Sequence, residues 1–392
     1  MKPRVGSAPV ADPGPAELDA ARMTATVSHL AADAFTGRRV GTSGGRAAAD
    51  WLAGQLAELG ATVSMEKFPV AAVRELYATP TLRWWDEPLV HRRDFAEHLA
   101  SADLPTPHTG ALAIEPVRGC WVLAAAADHD LAARAGAAGA LGLLVPRGVD
   151  AEGWMPKMIA GPPPLALPIL AVRTDLHARM VAELGEVVAS MPLRTVAATG
   201  TNVHGIVAKP ADGAVSVLLT AHYDGVGDDP DQRLPAAGDN ASGVAVVLEA
   251  TRLLATSRPA GFGLAVALLD AEEAGAHGSA HHAAQLPAET NVINIDGAAA
   301  LDDAAAVEAG GPAQSLLAAL DRAGREVGVP LRAGSMASDN RRYAAAGLPA
   351  IGIGMGIPGY QTPAETPDRV DPATLTTAAR LLVATVRRLT ID

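Results

Sequence analysis

From about residue 201 onward the chain alternates short apolar runs with segments of helical periodicity, and this alternation limits the fold more than any other feature. The sequence predicts strands at Val215–Thr220, Leu264–Leu269, Val292–Ile295 and Ala350–Gly354. Helices are expected at Val244–Ala255, near Gly278–Gln285, at Gln314–Val327 and at Pro372–Leu389. Alternation of this kind calls for an α/β fold, a sheet with helices on both faces. Polar residues cluster just after the apolar runs, and in open α/β sheets the carboxyl ends of strands are where ligands bind.

Upstream, helical periodicity starts near Glu17 after a loose arm of about 16 residues rich in Pro, Ala and Gly. A Gly-rich loop from Thr36 to Gly45 precedes an amphipathic helix, Arg46–Leu59, with Ala49, Leu52, Leu56 and Leu59 on one face and Gly60 as its stop. Ala61–Val70 reads as a strand. Between about 71 and 200 the pattern shifts to short apolar runs broken by proline (Ala111–Ala113, Trp121–Ala126, Leu141–Val145, Leu167–Val172), with helices near Asp130–Ala138 and Asp175–Leu184. The expected organisation is residues 1–70 and 201–392 as one domain, with 71–200 as a smaller β-rich domain inserted into it. A length of 392 residues agrees with two domains. Gly153–Met158, followed by Gly161-Pro162-Pro163-Pro164, reads as an exposed loop able to line a cleft.

Composition narrows the function. Net charge is −12, with no basic run, which argues against nucleic-acid binding because phosphate neutralisation needs clustered Lys and Arg. The single cysteine, Cys120, excludes an internal disulfide and a thiolate zinc cluster. No stretch approaches the apolar length of a membrane span. The N-terminus lacks the apolar core of a secretory signal, so a cytoplasmic location is expected. Oligomeric state is not legible.

Four segments carry the chemistry. His222 and Asp224 follow the run Val217–Ala221, Asp239 precedes a helix in Gly238-Asp239-Asn240, Glu272-Glu273 follows Leu264–Leu269, and Asp296 ends Val292–Ile295. Each alone has a plainer reading: a structural histidine, a helix cap, or acids in the first turn of a helix. Together, in order along one α/β domain, they read as a metal-dependent hydrolytic site. Donors limited to His, Asp and Glu suit zinc, and also manganese or cobalt. One glutamate of a pair can ligate while its neighbour serves as general base. His277, His281 and His282 read as a solvated helix face.

The chain resembles the co-catalytic dizinc aminopeptidases, the family that includes glutaminyl cyclases and glutamate carboxypeptidase. The resemblance runs through Thr36-Gly37-Arg38-Arg39-Val40-Gly41-Thr42, His222-Tyr223-Asp224, Gly238-Asp239-Asn240-Ala241-Ser242-Gly243, Glu272-Glu273, Asn294-Ile295-Asp296, Ser338-Asp339 and Tyr360–Asp371. The region between is similar to a protease-associated domain. The resemblance implies a phosphorylase/hydrolase-like mixed sheet and a peptide or small-amide substrate. It places His222 and Asp296 on one metal, Glu273 on the other, Asp239 bridging, Glu272 as general base and Asp224 supporting His222. Gln361 stands where the family usually has the His that completes the second metal site. Glu365 replaces the usual Asp, and Asn340 a frequent His. A glutamine carbonyl is a weaker zinc ligand than imidazole, so the second position is expected to be weak, empty, or suited to Mg or Mn. Tyr343 and Tyr360 are candidates for substrate contact by placement. The leading expectation is an aminopeptidase. The alternatives are a mononuclear amidohydrolase or cyclase acting on a specialised metabolite, and a non-catalytic binding protein on a peptidase scaffold.

Overall fold

Apolar runs that do not alternate become central strands because both of their faces are covered. In the computed structural model, which describes residues 17–258 and 261–389, these runs form the middle of an eight-stranded sheet. The expected N-terminal arm lies outside the described residues. The helices are α1 (Ala20–Leu30), α2 (Ser43–Glu58), α3 (His129–Ala138), α4 (Thr174–Glu183), α5 (Gly243–Ser257), α6 (His277–Ala283), α7 (Gln314–Val327), α8 (Asn340–Ala345) and α9 (Pro372–Leu389). The first eight strands are β1 (Thr62–Leu76), β2 (Thr81–Trp84), β3 (Glu87–Pro88), β4 (Phe95–Glu97), β5 (Leu104–Ala113), β6 (Trp121–Leu123), β7 (Gly142–Arg147) and β8 (Ile169–Arg173). The remaining eight are β9 (Glu186–Met191), β10 (Leu193–Ala208), β11 (Ser216–His222), β12 (Gly263–Leu269), β13 (Thr290–Ile295), β14 (Ala305–Gly310), β15 (Leu331–Ala333) and β16 (Ala350–Gly354).

The main sheet runs β1-β10-β12-β11-β13-β16-β14-β15. Its centre, β12, β11, β13 and β16, is parallel, and β10 and β14 flank it antiparallel. Successive side chains of β11 point to opposite faces. Val217 and Leu219 pack with Leu52 and Leu56 of α2, Val244 and Val247 of α5, and Leu375 and Leu382 of α9. Leu218 faces the other way, into a cluster with Ala283 of α6 and Tyr343 of α8. The expected mixed sheet with helices on both faces is present.

β1 and β10 form a long antiparallel ribbon, from Thr62 opposite Ile206 to Leu76 opposite Leu193. The chain leaves this ribbon after Leu76 and returns at Leu193. The second sheet, β3-β2-β9-β5-β6-β7-β8-β4, is built wholly from residues between those points. Trp121 is fully buried there, and α3 and α4 pack on it through Ala132, Ala135, Leu176 and Met180.

Several strands were not among the expected elements. β10 begins at Leu193 rather than near 201, β9 precedes it, and β14 and β15 extend the far edge of the main sheet. β14 reads Ala-Ala-Val-Glu-Ala-Gly and β15 has three residues, so neither carries the β-branched alternation that marks a strand in sequence. Edge position and pairing decide them. Among the described residues no helix is long and apolar enough to cross a membrane.

Candidate metal centre

The parallel strands end together, and the chemistry sits at their carboxyl ends. β11 delivers His222 as its last residue, β13 is followed at once by Asp296, and the turn after β12 carries Glu272 and Glu273. Asp239 comes from the Ala237–Ser242 turn that leads into α5, where the Asp239–Asn240 peptide is cis. Asn240 locks this turn to β13: its Nδ2 donates to the Ile295 carbonyl, and its Oδ1 accepts from the N–H groups of Gly243 and Gly297. Asn240 is thus a tie between strand and helix.

His222 Nε2 lies 3.1 Å from Asp239 Oδ1 and 3.3 Å from Asp296 Oδ1. One donor atom from each of the three lies within 4.8 Å of the others. On the other side of the imidazole, Nδ1 is 3.2 Å from the Asp224 carbonyl and 3.5 Å from its carboxylate. The Asp224 carboxylate also accepts the N–H groups of Glu272 at 3.1 Å and Glu273 at 3.2 Å. Asp224 therefore orients both the histidine and the glutamate turn, a wider part than the supporting one expected of it.

Gln361 reaches the same place from the loop after β16. Its Nε2 donates to Glu273 Oε2 at 2.5 Å, leaving Gln361 Oε1 and Glu273 Oε1 buried without a hydrogen-bond partner. Glu365 braces both sides: one oxygen accepts from the Asp239 N–H at 2.5 Å, the other from the Gln361 N–H at 2.7 Å.

The electrostatics are those of a crowded acid pocket. Burial pushes Glu272 and Glu273 well above the ordinary carboxylate range, and neighbouring acids add to the shift. Burial raises Asp339 to about 7, Asp270 to about 8 and Glu365 to about 8. For His222 burial opposes protonation, but Asp296, Asp224 and Asp239 outweigh it and hold the imidazole well above its usual value. Among the described residues His222 is the only basic side chain within ion-pair distance of Asp224, Asp239 or Asp296. Buried carboxylates in such excess need a cation, a proton or a metal. The unpartnered oxygens of Glu273, Gln361 and Asp339, together with an all-N/O donor set, fit a divalent ion of the zinc or manganese kind.

Four of the residues that build the site were given no role from the sequence. Arg38 is fully buried, yet its guanidinium donates only to backbone carbonyls: Tyr223, Leu30, Pro235 and Ala236. It pins the loops before Asp224 and Asp239, and its signal was the Thr36-Gly37-Arg38 loop. Gly37 there has φ +68°, and a Cβ on it would lie 2.7 Å from Gly227 Cα. Asp270 accepts from the N–H groups of Thr201 and Ala271. Asp339 sits fully buried with both carboxylate oxygens unpartnered. Glu365, noted only as a departure from the family pattern, proves to be the brace described above.

Two expectations are corrected. Tyr343 is fully buried and its hydroxyl meets His282 Nδ1 at 3.0 Å, so it packs behind the site, away from any cleft. His282 is likewise buried, stacked on His204 with ring centroids 4.2 Å apart, and so is not part of a solvated face. Tyr360 remains 45% exposed next to Gln361. A cavity of about 530 Å³ opens elsewhere, between β10, β12 and the end of α6, lined by Glu66, His204, Leu264 and Leu286.

Comparison with known proteins follows the same line. Residues 202–386 match the pattern of Peptidase family M28. A zinc aminopeptidase from Bacillus subtilis superposes with a TM-score of 0.71 at 22% identity, covering 94% of each chain. An aminopeptidase from Aneurinibacillus sp. strain AM-1 gives 0.70 at 19%, covering 94% of this chain and 93% of its own. The glutaminyl cyclase of Bacteroides thetaiotaomicron, bound to N-acetylhistamine, gives 0.51 at 14%, covering 95% and 98%. A search of curated protein sequences returns no match. These likenesses are of fold, and the matched segment contains His222, Asp239, Glu272, Glu273, Asp296 and Gln361. Residues 202–386 thus carry the pattern of Peptidase family M28, within a chain whose fold is similar to that of the zinc aminopeptidases.

Proposed function

We propose that the protein is a metal-dependent hydrolase of peptide or small amide bonds, most simply an aminopeptidase. The observation that carries this reading is the convergence of His222, Asp239 and Asp296 beside a glutamate pair whose backbone hangs from Asp224. His222 and Asp296 would hold one ion, Glu273 and Gln361 a second, with Asp239 between them. When bound, zinc supplies Lewis acidity that polarises a substrate carbonyl and acidifies a water.

The chain's own residues do the rest. Glu272 takes the proton of the attacking water and returns it to the departing amine. Its burial raises its proton affinity above that of an ordinary carboxylate, as a general base requires. Asp224 fixes the Glu272 and Glu273 peptides and the His222 ring, so base and ligands keep one geometry. Tyr360 is the aromatic at the rim available to a substrate. Residues 71–200 are read as a protease-associated-like unit beside the cleft.

A one-ion variant, including a mononuclear amidohydrolase or cyclase, draws support from the Gln361–Glu273 hydrogen bond, which occupies an oxygen of the second position. Gln361 contributes a neutral oxygen donor, so Mn or Mg competes better with Zn there than at His222. The test is turnover of an aminoacyl-anilide by protein reconstituted with zinc or manganese, with metal per chain measured in parallel. Turnover lost on chelation and regained with metal supports the reading. A metal-loaded protein inert to aminoacyl-anilides and peptide amides would sink it and leave the binding-scaffold alternative.

A further inference from the structure

The second ion position borders on a segment of the inserted region that the catalytic scheme does not use. Lys157 lies in the loop between β7 and β8. Its backbone N–H donates to the Gln361 carbonyl at 2.9 Å. Its side chain turns inward, only 4% of the residue being exposed, and the ammonium meets Asp229 Oδ1 at 2.9 Å and the carbonyls of Gly227 at 2.7 Å and Asp228 at 3.1 Å. Residues 227–229 follow directly from the turn that bears His222 and Asp224. Lys157 therefore joins two loops, one carrying Gln361 and the other following Asp224.

The anchorage around it is rigid. Arg92, fully buried, donates to Asp229 and to both oxygens of Glu97 at 3.0 Å. Its own carbonyl accepts from the Met155 N–H at 2.9 Å, two residues before Lys157. Buried charges paired in this way hold one geometry, because any displacement leaves a charge without its partner. Gln361 is thus fixed from both ends: Glu365 takes its N–H and Lys157 supplies a donor to its carbonyl. A backbone so held, in the left-handed region at φ +53°, directs the Gln361 side chain at Glu273.

We propose that Lys157 is a positioning residue through which the inserted region sets the second metal position. The proposal rests on the two-position reading given above. Without the ammonium, the Gln361 loop keeps its covalent path but loses its tie to the Gly227–Asp229 segment, and the Gln361 and Glu273 oxygens no longer share one fixed spacing. The first position, built on His222, Asp239 and Asp296, has no contact with Lys157 among those described.

The experiment is zinc titration of the full-length, chelator-stripped chain in competition with a chromophoric chelator, comparing wild type, Lys157→Met and Lys157→Arg. The expected result is two equivalents in wild type. Lys157→Met should weaken the looser equivalent by about 10–100-fold, the usual cost of losing an outer-shell partner, and leave the tighter one unchanged. Lys157→Arg should restore part of the loss. If Lys157→Met fails to give a native near-UV circular dichroism spectrum, Lys157→Met/Asp229→Asn removes both charges together and is expected to show the same selective weakening. Two equivalents in wild type, with both affinities unmoved or equally weakened in the variants, would overturn the role of Lys157 alone. A single equivalent in wild type would overturn the two-position reading itself and the inference with it.

Discussion

Gln361 donates its side-chain amide to Glu273 Oε2 across 2.5 Å, and the free oxygen of each group is left buried without a partner. A hydrogen bond thus stands where the sequence resemblance implies an imidazole and a metal. Gln361→His is expected to tighten the weaker zinc equivalent by about tenfold or more, since imidazole is the better zinc donor. Histidine also tolerates the left-handed backbone at this position. Chelator competition measures it. A Gln361→His chain that holds zinc no better than wild type would remove residue 361 from the ligand set.

Glu272 is assigned the proton transfers and no metal. Glu272→Gln should lower kcat on an aminoacyl-anilide by about 10²–10⁴-fold, the range for loss of a positioned general base. Zinc uptake should stay at the wild-type stoichiometry. Retention of turnover would show that another group carries the proton, and loss of zinc would make Glu272 a ligand.

Glu365 offers a pH test in the metal-free protein. Burial raises its carboxyl from 4.5 to about 8, so between those values the native chain keeps a proton that the unfolded chain has released. Stability from this group is complete below 4.5 and is lost as pH rises toward 8. Glu365→Gln, always neutral, removes that dependence. The stability difference between wild type and variant should therefore move in the variant's favour as pH increases across the window and level off above it. Urea midpoints at several pH values measure it, and a constant difference would refute the assignment.

Arg38 predicts stability rather than chemistry. Its guanidinium satisfies four buried carbonyls. Arg38→Met should cost about 3 kcal/mol or more, because the acceptors are left unpaired. Equilibrium unfolding in the presence of zinc separates this loss from metal release. A change below about 1 kcal/mol would mean the loops re-pair without the arginine.

Much of the fold was legible along the chain. The strands Ala350–Gly354 and Thr290–Ile295 and the helices Gln314–Val327 and Pro372–Leu389 follow from apolar period and length, and the structure holds them within two residues of the expected bounds. The edge strands β14 and β15 were not legible. Their residues suit several local states, and pairing at the sheet edge decides among them. Tyr343 shows the same limit at the site. Its placement suggested substrate contact, but the direction of α8 buries it against His282.

By itself the sequence determined that acidic side chains and one histidine stand at the ends of strands and the starts of helices. His222, Asp239, Glu272, Glu273 and Asp296 each follow a buried strand or open a helix, and parallel strands end on a common edge. Only the tertiary structure decided what holds them there. Asp224 accepting two glutamate N–H groups, Glu365 bridging Asp239 to Gln361, Arg38 on four carbonyls and Lys157 between two loops all join residues far apart in the chain. Such contacts depend on how loops of different lengths pack over one sheet edge. No local period or spacing records them.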